Sequence, residues 1–325
     1  MRLIGLLILL LAAALALSVA FGETALTLGQ YRAALADPTS PAAVILFAIR
    51  APRAACAALV GAALGLAGAV MQGLLRNPLA EPGVLGVSAW SGFAAAVVIA
   101  LGLGAAPGVL EGSALAGALG AGAAVALLAA RFREPETLIL FGVALAAMGG
   151  AMTALVFDLS PSPVTMAEIL TWLQGSVANR DWSDLAWALV PMAAGAGLCL
   201  YAARGLRMLT LGEETAALSG LPMGRLRVAA VAGAALLTGA SVALAGVIGF
   251  VGLAAPHLVR GAASDDPART LVPSALAGAV LLTLADLLAR VIPSAEELRL
   301  GVVTALFGAP LFALVAWRAA RSWRA

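Results

Sequence analysis

Apolar runs long enough to cross a lipid bilayer recur from one end of this 325-residue chain to the other, and they leave it few folds. They fall at residues 3–21, 54–75, 84–103, 109–130, 138–158, 184–203, 228–259, 270–292 and 300–317. A helix needs about 20 apolar residues to cross the hydrocarbon core. Only 11% of the residues are charged, against about 25% in a soluble domain. Within lipid every backbone amide must find its partner inside the protein, so spanning structures are helices or closed barrels. Ala and Leu dominate, and no alternating strand pattern occurs. The chain is read as all-α and polytopic, one transmembrane unit over residues 1–325, surrounded by lipid and with no nucleic acid among its expected partners.

The run from Val228 to Val259 holds no Asp, Glu or Arg. As one straight helix it would measure about 48 Å, against a core of about 30 Å. Gly246, Gly249, Gly252 and Pro256 offer places to break it, giving a full span and a shortened one, and ten spans in all. An even count puts both termini on one face. With that face cytoplasmic, thirteen arginines fall inside and six outside, which follows the positive-inside rule. The run from Leu3 to Phe21 is too long for the core of a secretory signal and is expected to remain as the first span.

All nineteen basic residues are arginine, so the chain lacks the lysine that a P-loop uses to grip phosphate. If ATP drives this protein, another subunit must hydrolyse it. Two cysteines and one histidine cannot make an ordinary zinc site, and Cys56 and Cys199 fall near opposite faces, which argues against a disulfide. No cofactor or metal is expected on this chain.

Leu59–Gly68 matches Leu237–Gly246 at six of ten positions, and the same offset sets Pro78 opposite Pro256. Five spans separate the copies, so they would run in opposite directions, as in the inverted repeats of transporters. The expected halves are about 54–158 and 228–317. Two polar segments look structured. Thr165 with Glu168 fits a capping box after Ser160-Pro-Ser-Pro163, with Gly175 suited to the helix end. In the arginine-flanked segment 204–227, Thr210 and Glu213 fit a second box opening a helix over Leu211–Ser219. Gly220 stops that helix and Pro222 prevents its resumption. The small-residue face Gly142, Ala146, Gly150 permits close helix approach. Asp286, an acid well inside a span, calls for a structural partner such as Arg290 one turn later.

Further motifs run in order along the chain: Arg50-Ala-Pro-Arg53, Ala69-Val-Met-Gln-Gly73, Arg76-Asn-Pro-Leu-Ala-Glu-Pro-Gly83 and Leu85-Gly-Val-Ser88. They continue with Leu211-Gly-Glu-Glu214, Gly246-Val-Ile-Gly-Phe-Val-Gly252, Pro256-His-Leu-Val-Arg260, Asp286, Arg290 and Gly308-Ala-Pro310. With these motifs the chain resembles the FecCD-type permease subunits of binding-protein-dependent ABC importers for ferric siderophores, haem and cobalamin, the cobalamin members closely.

The resemblance implies a homodimer in the bacterial inner membrane, two cytoplasmic ATPase subunits that use ATP and Mg, and a periplasmic binding protein. It implies that Arg50, Arg53 and Arg290 meet acids of the binding protein. Leu211, Gly212, Glu213, Glu214, Gly220 and Pro222 would form the helix that couples to the ATPase, with both glutamates facing that subunit. Asn77, Pro78 and Leu79 would constrict the cytoplasmic mouth. Family members usually read Glu-Leu-Pro before the last span, where this chain has Glu297-Leu-Arg299. The expected cargo is an iron–siderophore chelate, because such members are the most numerous, with cobalamin or haem as alternatives. An ion-coupled secondary transporter is the reading from a different class, and Asp286 is its one candidate ion-site residue.

Overall fold

The computed structural model describes residues 2–132, 135–160, 162–262, 266–292 and 297–322, and every regular element in these segments is a helix. Arg133, Glu134, Pro161 and Arg324 lie outside the described residues. In chain order the helices are α1 (Arg2–Ala20), α2 (Leu28–Ala36), α3 (Pro41–Ala43), α4 (Ala51–Leu75), α5 (Val87–Ala100), α6 (Val109–Arg131) and α7 (Pro135–Asp158). Then follow α8 (Pro163–Leu173), α9 (Trp182–Leu209), α10 (Glu213–Leu218), α11 (Met223–Ala245), α12 (Val251–Arg260), α13 (Pro267–Val291) and α14 (Leu300–Ser322). Among the described residues seven helices are long and apolar enough to cross a membrane, and α5 and part of α14 are shorter apolar helices. The chain is thus an all-α multi-pass membrane protein.

Three boundaries differ from the sequence reading for local reasons. The second span begins at Pro41, not near residue 54, because Ser40 caps α3 and a π-helical turn, Val44–Arg50, joins α3 to α4 without a break. Pro52, in the first turn of α4, has no N–H to give to the preceding turn, and the wider π geometry accommodates this. The cap of α8 is Ser162, whose Oγ accepts from Thr165 N at 3.2 Å, so the expected Thr165–Glu168 box starts three residues late. Gly175 does sit beyond the end of that helix, at φ 72°.

The long apolar segment breaks after α11, with Gly246 at φ 70°. A Cβ there would lie 2.3 Å from the Trp172 carbonyl, so only glycine fits. Gly249 lies in the break, but Gly252 and Pro256 do not: both are inside α12, correcting the expectation that they interrupt it. At ten residues, α12 is about 15 Å long, half of a membrane. Pro256 and its expected counterpart Pro78 therefore occupy different local structure, since Pro78 follows the end of α4.

The core forms where small residues let backbones meet. A Cβ on Gly61 of α4 would lie 2.2 Å from the Gly278 carbonyl of α13, and one on Gly278 would lie 2.2 Å from the Gly61 carbonyl. On the same side of α4, a Cβ on Gly68 would be 1.8 Å from the Gly252 carbonyl of α12. That carbonyl is the one Pro256 cannot bond within its own helix, which leaves it open to this approach. Close packing of this kind replaces the hydrophobic drive that lipid removes. Residues of α11 are the most enclosed, 83% of its apolar window being buried, whereas α1 and α7 reach 17% and turn most of their surface outward. Gly142 packs against the Val84–Leu85 backbone, while Gly150 has nothing within 4 Å, so the small-residue face of α7 is divided between core and surface.

Candidate functional site

The functional candidates gather at two ends of the bundle. At one end α1 and α13 finish and α4 begins. Here Arg53 donates through Nε and Nη2 to Asp286 Oδ1 at 3.0 and 2.8 Å, and through Nη1 to Glu297 Oε2 at 3.1 Å. A further contact joins its Nη2 to Glu297 Oε1. Asp286 is 1% exposed, and its second oxygen takes Arg290 Nη2 at 3.1 Å. Arg290 also donates to Ser18 Oγ at 2.6 Å and to carbonyls at the end of α1. A buried carboxylate is tolerated when paired and hydrogen-bonded, and two guanidinium groups meet that requirement for Asp286. The expectation of a structural partner for this acid is met twice over.

Arg50 enters the same end differently. Its Nη1 donates to Ala20 O at 2.7 Å and Val19 O at 3.3 Å, and its Nη2 to Thr24 O. Val19 and Ala20 hold open carbonyls at the end of α1, where a cation is favoured, and Thr24 lies in the loop that follows. The three candidate docking arginines thus converge, yet each is committed to this chain's own acceptors. Glu297, with a fifth of its side chain exposed, is the network's outermost acid. Sequence reasoning missed Glu297 and Ser18 as members; neither lies at helical spacing from Arg53, so only the fold unites them.

The opposite end holds α10. The expected capping box at Thr210 does not form. Instead α9 runs on to Leu209, and Thr210 Oγ1 donates to Arg207 O at 2.7 Å. Gly212, at φ 99°, opens α10 without a side-chain cap, so the helix is six residues long, shorter than Leu211–Ser219. Gly220 (φ 84°) ends it, and Pro222 sits directly before α11. With α9 and α11 both extended, the connection shrinks to residues 210–222. Glu213 turns inward to Arg227, Oε2 to Nη2 at 2.8 Å, while Arg227 Nη1 donates to Phe132 O. Glu213 is thereby tied to α11 and stays partly exposed, while Glu214 is exposed. The large apolar side chains exposed here are Leu211 and Leu218, at 67% and 90%.

Between the two ends lie two breaks that touch. After α4, Arg76 takes φ 49°, and Asn77 Oδ1 accepts from Leu79 N at 2.9 Å, turning the Asn77-Pro78-Leu79 segment back into the bundle. That return carries Glu81 to the start of α12, where its Oε1 accepts from Phe250 N at 2.9 Å. Phe250 is itself at φ 67°. The segment expected to form a gate and the half-helix are thus joined by one carboxylate–amide bond, another contact that sequence spacing does not show. The pairs Arg53–Asp286 and Glu81–Phe250 span over 160 residues of sequence each. Cys56 and Cys199 are both buried thiols with no disulfide, and no group of three metal-ligating side chains occurs among the described residues.

A model of the FecCD transport family matches residues 9–318. The vitamin B12 import system permease protein BtuC of Shigella boydii is 40% identical over 312 residues, covering 95% of this chain and 92% of that protein. The uncharacterized ABC transporter permease protein YvrB of Bacillus subtilis is 41% identical over 289 residues, 86% of this chain and 80% of its own. Among solved structures, a chain described as a metal-chelate-type ABC transporter in an inward-facing conformation superposes with a TM-score of 0.87. It is 31% identical and the match covers 98% of this chain and 99% of that one.

Proposed function

This chain belongs to the FecCD transport family, and from that premise we propose that it is the permease of a binding-protein-dependent ABC importer whose cargo is cobalamin. The observation that carries the cargo is identity of 40% to vitamin B12 permeases over 95% of the chain. The iron–siderophore expectation rested on family numbers alone and has no comparable support. Permeases of this family have no ATPase site of their own, and the absence of lysine fits that division.

In this reading the protein has ten spans with both termini cytoplasmic and works as a homodimer in the bacterial inner membrane. The Arg50–Arg53–Arg290 end faces the periplasm and receives the binding protein. Docking there is an exchange: an acid of the partner replaces Glu297 on Arg53, so charge complementarity fixes orientation more than it adds affinity. At the other end α10 seats on the ATPase through Leu218, Leu211 and Glu214, with Glu213 tying the helix to α11. Closure of the ATPase dimer tilts α9 and α11, and the Glu81–Phe250 bond carries the tilt to the Asn77–Leu79 gate. The crossed packing of α4 on α13 and of α11 on α6 supports two inverted halves. Secondary transport is disfavoured because Asp286 is held between two arginines.

Proteoliposomes holding the permease, its ATPase and its binding protein test this reading. Labelled cobalamin should accumulate with ATP, survive a protonophore, and stop when the ATPase is inactivated. Uptake of a ferric siderophore but not cobalamin would overturn the cargo, and uptake driven by a proton gradient without ATP would overturn the class.

A further inference from the structure

A cavity of about 270 Å³ lies where α4, α12 and the start of α13 meet, beside the connection that leads to α10. Its lining is cationic and donor-rich. Arg76, Arg260, Gln72 and Asn77, with the hydroxyls of Thr210 and Thr270, supply the polar surface, and no carboxylate occurs among the described lining residues. Asp266, which precedes the lining residue Pro267, is engaged by Arg207 at 2.9 Å and Arg269 at 3.5 Å.

Two features mark this as a prepared site. Gln72 is 4% exposed, and its Oε1 accepts from Arg260 Nη2 at 2.6 Å. That bond fixes the amide orientation, because the flipped form would set an NH2 group against a guanidinium. The Nε2 atom is then a buried donor with no acceptor among the described residues, a state that is unfavourable unless a ligand or water supplies one. Arg76 holds a left-handed backbone at φ 49°, where glycine would be easier for the chain. It does so at the cavity wall, and strain of this kind collects at binding sites.

We propose that this cavity binds a phosphate-headed anion, with Arg76 and Arg260 facing its charge and Gln72 Nε2 donating to one oxygen. Guanidinium forks match the geometry of phosphate oxygens, and basic pockets between helices on the cytoplasmic side suit lipid headgroups. The occupant is either an anionic phospholipid at the inner leaflet or free phosphate. Its cytoplasmic location rests on the topology proposed above, but binding does not, so the two fail separately.

The full-length permease in neutral detergent is titrated with dioctanoyl-phosphatidylglycerol, dioctanoyl-phosphatidylcholine and inorganic phosphate, reading the unfolding temperature. Phosphatidylglycerol should raise it saturably and phosphatidylcholine should not. An equal rise with inorganic phosphate identifies free phosphate as the occupant; a rise with the lipid alone identifies the headgroup. Arg76→Gly relieves the backbone strain, so the unliganded protein should melt no lower than wild type while affinity falls about tenfold or more. Gln72→Glu should pair with Arg260, keep the fold and abolish the rise. Absence of a saturable rise, an equal rise with phosphatidylcholine, or an undiminished rise in both variants overturns the proposal.

Discussion

Replacing Gly61 by alanine tests whether backbone contact between α4 and α13 holds the bundle together. Propensity by itself favours the change, since alanine is better than glycine inside a helix by about 0.8–1 kcal/mol. Geometry opposes it. The new methyl would sit 2.2 Å from the Gly278 carbonyl and 2.9 Å from Leu282 Cβ, where ordinary contact begins near 3.4 Å. The helices must therefore part by about an ångström, and the obstacle is backbone, which cannot rotate aside. Overpacking typically costs about 1–3 kcal/mol; because the obstacle is backbone the upper part of that range applies, and set against the propensity gain a net loss approaching about 2 kcal/mol is expected. Unfolding of the purified permease in mixed micelles measures this directly. Gly278→Ala should cost a similar amount, and the double variant less than the two together, because the first methyl already separates the helices. Gly150→Ala and Gly120→Ala, with nothing within 4 Å, are the controls and should be neutral or slightly stabilising. If Gly61→Ala is as stable as the wild type, or the controls lose as much, close backbone packing is not what holds α4 to α13.

Asp286→Ala strands Arg53 and Arg290 in a buried site and should cost about 3–5 kcal/mol; a loss below about 1 kcal/mol in the same unfolding assay would contradict the pairing. Leu218→Asp changes a residue that is 90% exposed, so the permease should keep its stability within about 0.5 kcal/mol yet fail to copurify with the ATPase. Retained copurification would remove Leu218 from the coupling surface. For Asp266, burial pushes the carboxyl up, but the Arg207 hydrogen bond and the Ala268 amide outweigh it and hold the group below the usual range. A depressed folded value means that its contribution is complete above about pH 3.9 and disappears as the pH falls through the folded value. The acid side of the stability curve should therefore flatten in Asp266→Asn, and an unchanged slope would refute the assignment.

Hydropathy and arginine placement alone gave the membrane class and most span positions, because lipid admits helices wherever about 20 apolar residues follow one another. The break after Ala245 was legible for a related reason: the apolar run exceeds the bilayer and Gly246 offers a left-handed exit. The lack of lysine is equally a property of composition, and it excludes a P-loop of the chain's own whatever the fold. Local spacing was a weaker guide at helix starts. Thr210 and Ser162 have the same capping chemistry, and which one caps depends on where the neighbouring helix ends.

Tertiary structure alone decided what each charge does. Arg50, Arg53 and Arg290 read alike in sequence, but one closes the end of α1, one bridges Asp286 to Glu297, and one locks Asp286 to Ser18. The reason is that a guanidinium seeks whichever acceptor the packed backbone brings within about 3 Å. Sequence sets where the chain may lie in lipid; the meeting of α4, α12 and α13 through their small residues, with α1 packed against α13, sets which acceptors arrive.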